Sequence, residues 1–246
     1  MDGVNTMKRK VPGNPGSAWR VPVVVLAALG LVACQEKDID MSKTAETTTS
    51  EDIQLPEPRY EGPVSLEETL YLRRSVREFA DEPLSWDEIS QLLWAAQGIT
   101  DPQGRRTAPS AGALYPLELY LLTADGLFHY DPEEHTLQRL RSGDLRRDVH
   151  AASLEQESIL QAPITLVFSA VYHRTAQRYG AQRSPRYVHM EVGHAAQNVL
   201  LQAVALGLGA VPIGAFHDDR VQEVLGLPDD HELLYLIPVG RLRAKP

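Results

Sequence analysis

A long helix is the predicted element that most restricts how this chain can fold. Ser184 and Pro185 are typical of a first helical turn, and Gly207 is typical of the residue that ends a helix. From Arg186 to about Leu206, apolar residues lie most of the way round the helical circumference. Such a helix is stable only when several of its sides are covered, so we expect it in the protein core or in a subunit interface.

Shorter helices and strands are predicted around this long helix. Capping-box patterns begin at Ser65 and Ser85, and the pair Asp125-Gly126 is typical of a hairpin turn. The predicted elements show no regular alternation of strand, helix and strand, which favours the α+β class over a doubly wound parallel sheet. The other predicted elements are helices at 89–97, 144–153 and 218–225 and strands at 117–123, 127–130, 164–171, 208–213 and 233–239.

The first residues have the composition of an export signal. Basic residues precede an apolar run at 21–33, which is shorter than the roughly 20 residues that a membrane span needs and has the size of a signal-peptide core. The run ends Leu-Val-Ala-Cys34, which resembles the bacterial lipobox and contains the only cysteine of the chain. The resemblance implies removal of residues 1–33 and attachment of lipid to Cys34. The alternative is a cysteine buried in an ordinary hydrophobic segment.

The leader and the composition together give an expected organisation. A lipidated Cys34 would anchor the protein to a membrane of the cell envelope, facing the periplasm or the exterior. Residues 34–63 are rich in Thr, Ser, Glu, Asp and Pro without apolar periodicity, which predicts a flexible tether. The folded domain is expected at 64–246, and Met7 is an alternative start. The formal net charge of −9 argues against non-specific binding of nucleic acid, which needs a basic surface.

Two basic segments, at 73–77 and 240–245, have the chemistry of a phosphate site. Guanidinium groups bind phosphate oxygens through charge-assisted and often bidentate hydrogen bonds. The alternative for the first segment is a solvated basic turn. The candidate residues are Arg73, Arg74, Ser75 and Arg77 in the first segment and Arg241 and Arg243 in the second.

Two segments of small residues are suited to a flat ligand. Segment 109–116 reads PSAGALYP, and small side chains let a backbone approach a ligand and offer it amide groups. The alternative is a plain loop before a strand. Segment 207–214 reads GLGAVPIG, and its glycine spacing does not open a helix, so it matches the dinucleotide-binding fingerprint poorly. The candidate residues are Pro109, Ser110, Ala111, Gly112 and Ala113 in the first of these segments and Pro212, Ile213 and Gly214 in the second.

Taken in order, the four segments resemble the nitroreductase superfamily, and in particular its SagB-type flavin dehydrogenases, over nearly all of residues 65–243. The resemblance implies a dimeric α+β sandwich with FMN at the subunit interface and the long helix in the dimer core. It also implies that Arg73, Ser75 and Arg77 hold the FMN phosphate and ribityl chain, with Arg241 or Arg243 completing the phosphate site. Residues 110–113 would line the pyrimidine end of the isoalloxazine ring, and residues 212–214 would lie along the ring near N5.

Three positions depart from the patterns of the better-known branches. Ala113 stands where classical nitroreductases carry an asparagine, and Gly214 stands where they often carry an acidic residue. Both departures favour the SagB-type branch. Azoline oxidases of that branch have a Lys-Tyr pair where this chain has Arg178-Tyr179. An arginine stays charged and does not act as a base, which disfavours azoline oxidation by the usual mechanism and leaves Tyr179 as the candidate catalytic proton donor.

The expected activity is ping-pong redox chemistry on FMN. A donor reduces the flavin and leaves, and a small organic or peptide-derived acceptor then receives a hydride or electrons. A second hypothesis is oxidation of a small molecule or peptide with FMN as the acceptor, and a third is a non-catalytic lipoprotein that binds flavin or another flat ligand. A metal site is not expected, because His189 and His194 are five residues apart on a predicted helix and lie on different faces.

Overall fold

The computed structural model describes residues 52–243, which are built around a seven-stranded sheet. The strand order is β1-β4-β3-β2-β5-β7-β6, and each described pairing of these strands is antiparallel. Two-residue hairpin connections such as the one after Thr123 fit this arrangement. The strands are β1 (Ile53–Gln54), β2 (Leu117–Thr123), β3 (Gly126–Asp131), β4 (Thr136–Ser142), β5 (Ile164–Ala170), β6 (Leu208–Ala210) and β7 (Glu232–Arg241).

Seven helices accompany the sheet within the described residues. Ser85 and Glu88 form the predicted capping box at the start of the second helix, and the Ser65 side chain caps the first. The long helix ends before Gly207, whose φ of +72° suits glycine. The helices are α1 (Leu66–Leu72), α2 (Trp86–Gln97), α3 (Arg146–Ala152), α4 (Ser158–Gln161), α5 (Tyr172–Tyr179), α6 (Ser184–Ala205) and α7 (Asp218–Leu225).

The central strand β5 separates two apolar cores. All seven of its residues are buried; Leu166 and Phe168 face the core that contains α2 and α6, whereas Val167 faces the core that contains α3 and α7. Because alternate side chains of a strand point to opposite faces, one continuous apolar run serves both cores. The mixed helix and sheet architecture confirms the predicted α+β class.

Sequence patterns missed the elements that have few buried apolar residues. In strand β4 only the first two residues, Thr136 and Leu137, are not exposed. In α5 Thr175 is the only buried residue. The long helix does bury one broad face, as predicted for a core helix, while Met190 on another side is 55% exposed. Periodicity identifies elements by their buried face, so edge strands and surface helices give weak signals.

The predicted boundary between tether and domain is wrong by about one short segment. Residues 52–63 were predicted as tether, yet Ile53 pairs with Leu137 of β4 and Leu55 is buried. The carbonyl of Pro56 accepts a hydrogen bond from the Ser90 hydroxyl. The ordered domain therefore begins at or before Ile53, because this segment completes one edge of the sheet. The predicted signal peptide, Cys34 and the rest of the tether lie outside the described residues.

Among residues 52–243, none of the helices combines the length and the apolar character that a membrane span requires.

Candidate functional site

The first basic segment lies beside the last two strands of the sheet. Ser75 forms a parallel bridge with Ala210 of β6, and the Val76 amide donates a hydrogen bond of 3.0 Å to the Ala210 carbonyl. A few residues later, the Ala80 amide donates to the carbonyl of Arg241 at 3.0 Å. Backbone hydrogen bonds therefore bring together three of the four predicted segments, at 73–77, 207–214 and 240–245.

Glycines allow this close approach of backbones. A Cβ atom on Gly209 would lie 2.7 Å from Cγ1 of Val76, and one on Gly240 would lie 2.9 Å from the ring of Phe79. Both contacts are shorter than side chains tolerate, so larger residues at either position would push the basic segment away from the sheet. Gly209 and Gly240 thus have a packing reason.

Cations cluster at this edge of the sheet, where Arg74 and Arg77 are exposed and Arg73 is half-buried. Among the described residues, no carboxylate forms an ion pair with Arg73, Arg74 or Arg77. The side chain of Arg243 is 63% exposed and lies 3.5 Å from a carboxylate oxygen of Glu78. Arg74 donates hydrogen bonds to the backbone carbonyls of Tyr71 and Arg73. Arg73 and Arg77, which flank the Ser75 hydroxyl, are therefore better suited to binding a phosphate.

Arg241 has a different role in the structure. Its guanidinium donates two hydrogen bonds, of 2.7 and 2.9 Å, to the carboxylate of Glu88 at the start of α2. Burial opposes ionisation of Glu88, but the hydrogen bonds from Arg241 and Ser85 outweigh it and leave the pKa of Glu88 below its ordinary value. Arg241 therefore joins β7 to α2, and of the two C-terminal arginines Arg243 is the more available to a ligand.

The first small-residue segment, at 109–116, forms a strained loop before β2. Residues Ala111–Ala113 make a single 3-10 turn, in which Gly112 has φ +66° and Ala113 has φ +53°. Tyr115 follows with φ +43°. Left-handed conformations at non-glycine residues cost about 1–3 kcal/mol and are typical of ligand-binding and catalytic loops. The strain marks this loop as a candidate functional element.

The loop lies against Arg178 and Tyr179 of α5. A Cβ atom on Gly112 would lie 3.1 Å from both Nη1 of Arg178 and the hydroxyl of Tyr179. The ring of Tyr179 also packs against Tyr187 of α6, with 4.5 Å between the ring centroids. The structure thus places Tyr179 at the loop, a proximity that the separation of the two segments in sequence did not show.

Glu191 lies under the same loop and was not recognised from the sequence. It belongs to α6 and is 2% exposed, with the Ser110 hydroxyl and the Arg106 guanidinium as neighbours. Burial raises the pKa of this carboxyl to about 7, even though both neighbours favour the ionised form. Glu191 is the only acidic residue of α6, and this was the sequence signal that could have drawn attention to it.

The segment at 207–214 connects the two ends of the candidate site. After Ala210 it continues along β7, where Ile213 bridges Leu236 and a Cβ on Gly214 would lie 3.4 Å from the ring of Tyr235. From Tyr235 to Arg241 a strand covers about 20 Å, at about 3.4 Å per residue. Residues 212–214 therefore lie well away from the cations, towards the start of β7.

The loop and the cations are separate within one chain. The strand that follows the loop, β2, is three positions from β6 in the sheet, which corresponds to about 14 Å. The loop also lies at the end of the sheet where β7 begins, since Leu117 pairs with Ala170 and Ala170 pairs with Glu232. A single copy does not close one pocket around both groups.

The histidines singled out in α6 have separate surroundings. His189 shares a hydrogen bond of 2.7 Å with the Tyr172 hydroxyl, and His194 is exposed. Within the described part of the chain, no group of three or more His, Cys, Asp or Glu side chains is arranged to hold a metal ion.

The chain belongs to the Nitroreductase family, whose sequence profile matches residues 70–241. The protein is therefore an oxidoreductase by family, and its fold is nitroreductase-like, as the sequence predicted.

Individual relatives support the same assignment. A protein of Methanocaldococcus jannaschii named as a nitroreductase, MJ1384, is 46% identical over 196 residues, which cover 77% of this chain and 96% of that protein. The crystal structure of a protein from Ralstonia eutropha JMP134, also named as a nitroreductase, superposes on this chain with a TM-score of 0.73 at 36% sequence identity. The superposed region covers 80% of this chain and 92% of the Ralstonia chain. The microcin B17-processing protein McbC of Escherichia coli is 28% identical over 156 residues, 58% of this chain and 57% of McbC.

Proposed function

We propose that the protein is an FMN-dependent oxidoreductase of the SagB-type branch. The observation that carries the proposal is the meeting of the basic segment at 73–77 with Ala210 of β6 at one edge of the sheet. Guanidiniums without carboxylate partners among the described residues fit a phosphate, and the exposed Gly214 and half-buried Pro212 beside β7 leave room for a flat ring to approach. When bound, FMN accepts and returns a hydride or electrons at N5.

In this proposal each group of the chain has a defined task. Arg73, Ser75, Arg77 and Arg243 hold the phosphate and ribityl end, and residues 212–214 support the ring. Residues 110–113 face its pyrimidine end, and the Tyr179 hydroxyl holds a proton at the loop. Donor and acceptor use the same opening in turn. Because the loop and the cations are apart in one chain, we place the cofactor between two copies, each supplying one group.

An exposed apolar helix supports the homodimer. Leu66, Leu70, Tyr71 and Leu72 of α1 are all exposed, with Leu70 at 54% and Tyr71 at 76%. An apolar surface of this kind marks an interaction site, and α1 leads directly into Arg73, so an interface there would lie beside the cations. Sedimentation of wild type as a dimer and of Leu70→Arg as a monomer is expected; a monomeric wild type would contradict the dimer.

The relatives and Arg178 support the proposed branch and substrate class. McbC is named as a microcin B17-processing protein, and this supports a peptide-derived or small organic substrate for this branch. Arg178 beside Tyr179 in place of a lysine leaves no residue of the pair that can act as a neutral base, so we propose a dehydrogenase or reductase activity other than azoline oxidation.

The membrane anchor remains a separate proposal, since it rests on the leader sequence. Cleavage before Cys34 and lipidation of its thiol would place the domain outside the cytoplasm, where a protein or the substrate itself would supply electrons in place of NAD(P)H. Mass spectrometry of the mature N-terminus tests it. A diacylated Cys34 is expected, and an intact leader would overturn the anchor while leaving the flavin domain unaffected.

The test of the function compares FMN binding in matched double variants. Each charge-assisted phosphate contact contributes about 1.5–3 kcal/mol, so replacing both Arg73 and Arg77 with alanine should weaken FMN binding by at least about 100-fold. The control replaces Arg147 and Arg220, two exposed arginines of α3 and α7, and should bind like wild type. Equal affinity of both double variants would refute the assigned phosphate site.

Turnover separates an enzyme from a flavin-binding lipoprotein. Reduction of a dye acceptor by a donor, lost in the Arg73/Arg77 double variant and retained in the control, is the expected result. Full FMN binding without turnover for any donor and acceptor pair would favour the non-catalytic alternative.

A further inference from the structure

Helix α5 contacts the strained loop at two points. Nη1 of Arg174 donates a hydrogen bond of 3.2 Å to the backbone carbonyl of Tyr115. Further along the helix, Arg178 and Tyr179 lie against Gly112. Arg174 and Arg178 are four residues apart, so they lie on the same side of α5, one turn from each other. One side of this helix therefore faces the loop.

Tyr115 closes the loop, so a contact with its carbonyl acts on residues 110–113 as well. Its amide donates a hydrogen bond of 2.9 Å to Oγ of Ser110, although its own φ is +43°. Its hydroxyl accepts a hydrogen bond of 3.2 Å from the amide of Arg106, whose guanidinium lies 4.5 Å from the ring centroid. A strained residue keeps its conformation only when its surroundings hold it there. These contacts and the one from Arg174 together hold the loop in shape.

Glu118 of β2 anchors Arg174 to the sheet. Nη2 of Arg174 donates a hydrogen bond to one oxygen of the Glu118 carboxylate, and the other oxygen lies 2.6 Å from Nε2 of His129 in β3. Burial opposes ionisation of Glu118, but the hydrogen bond from His129 and the charge of Arg174 outweigh it and lower the pKa of this carboxyl to about 2. The carboxylate is therefore charged at neutral pH and gives the guanidinium a fixed partner.

We infer that Arg174 is a positioning residue, which ties the loop at 110–115 to both α5 and the sheet and so fixes where the loop lies relative to the Tyr179 hydroxyl. This inference rests on the proposed FMN function, in which the loop faces the pyrimidine end of the ring. The planar guanidinium suits the task, because its donors point in fixed directions and serve the Glu118 carboxylate and the Tyr115 carbonyl at once.

A well-held loop should affect reduced FMN more than oxidised FMN. Protein groups near the pyrimidine end tune the reduction potential of a flavin, and dipoles that are already in place stabilise added negative charge without reorganising. Loss of Arg174 should therefore weaken the binding of reduced FMN more than that of oxidised FMN. A difference of about tenfold lowers the two-electron midpoint potential by about 30 mV. A general loss of stability would weaken the binding of both forms alike and leave the potential unchanged.

The experiment uses the full chain and has two readouts. Hydrogen exchange of the backbone amides at 110–115 in the FMN-free protein measures how firmly the loop is held, and a redox titration measures the midpoint potential of bound FMN. Arg174→Gln should speed exchange of the loop amides by about tenfold and lower the potential by about 30 mV. Arg147→Gln, at an exposed position of α3, is the matched control and should behave like wild type in both.

Arg174→Lys is the second variant, and it carries the comparison if Arg174→Gln does not fold. It keeps a positive charge beside Glu118, but its single ammonium group holds one of the two acceptors in place of both. The changes should have the same direction and be smaller, about threefold in exchange of the loop amides and about 15 mV in potential.

The outcomes separate this inference from the proposed function. Faster exchange of the loop amides together with a lower potential in the Arg174 variants, both absent from the control, supports the positioning role. An unchanged potential in either Arg174 variant, a lower potential without faster loop exchange, or the same changes in the control overturns the inference and leaves the FMN function standing. Failure of wild type to bind FMN overturns both.

Discussion

Replacing Glu191 with glutamine should stabilise the protein, and only above about pH 5. A carboxyl whose pKa is raised from 4.5 to about 7 keeps its proton in the folded state over a range where the unfolded chain has already released it. Stability is therefore unaffected by this group below pH 4.5, falls as the pH rises towards 7, and is lower by about 3 kcal/mol above it. Glutamine does not titrate and avoids that loss.

Urea unfolding of the FMN-free protein, followed by tryptophan fluorescence at pH 4.5, 6, 7 and 8, measures this effect. Wild type and Glu191→Gln should have similar free energies of unfolding at pH 4.5 and differ by up to about 3 kcal/mol at pH 8. The exposed control Glu223→Gln should match wild type throughout. A Glu191→Gln variant that is less stable than wild type at pH 8, or a difference that is the same at every pH, would refute the reasoning.

Three further changes test other parts of the structure. Leu55→Ala should cost about 2–5 kcal/mol in urea unfolding, because Leu55 is a core residue; a cost near zero would show that the segment before residue 64 is dispensable. Gly209→Ala should lower the free energy of unfolding by about 1–3 kcal/mol and weaken FMN binding, because the new Cβ would displace Val76. An unchanged affinity for FMN would show that the basic segment does not belong to the binding site. Tyr179→Phe should retain FMN binding and lower the rate of dye reduction by about 100-fold or more. An unchanged rate would show that Tyr179 is not a catalytic residue.

The sequence predicted the elements that have a strong buried face. Strand β5 and helix α6 were recognised because their apolar residues are continuous or closely spaced, and the capping box at Ser85 located the start of α2. Strand β1 was missed because two residues carry no periodicity. It forms only through pairing with β4, a contact with a distant part of the chain.

The sequence predicted which residues belong to the candidate site better than it predicted which of them lie together. Composition alone suggested that Arg73 and Arg77 suit a phosphate, but only backbone pairing shows that they lie beside Ala210. The ion pair between Arg241 and Glu88 was not foreseeable, because it joins residues 153 positions apart. Glu191 was passed over for a similar reason: its burial beneath Ser110 depends on how the loop folds onto α6.

The central claim is that the edge formed by the segments at 73–77, 207–214 and 240–243 binds the phosphate and ribityl end of FMN. A crystal structure of the protein grown with FMN tests it most directly. The account predicts the phosphate within hydrogen-bonding distance of Arg73, Ser75 and Arg77, with the ring along residues 212–214. A phosphate bound elsewhere, or saturating FMN that leaves this edge without ligand density, would contradict it.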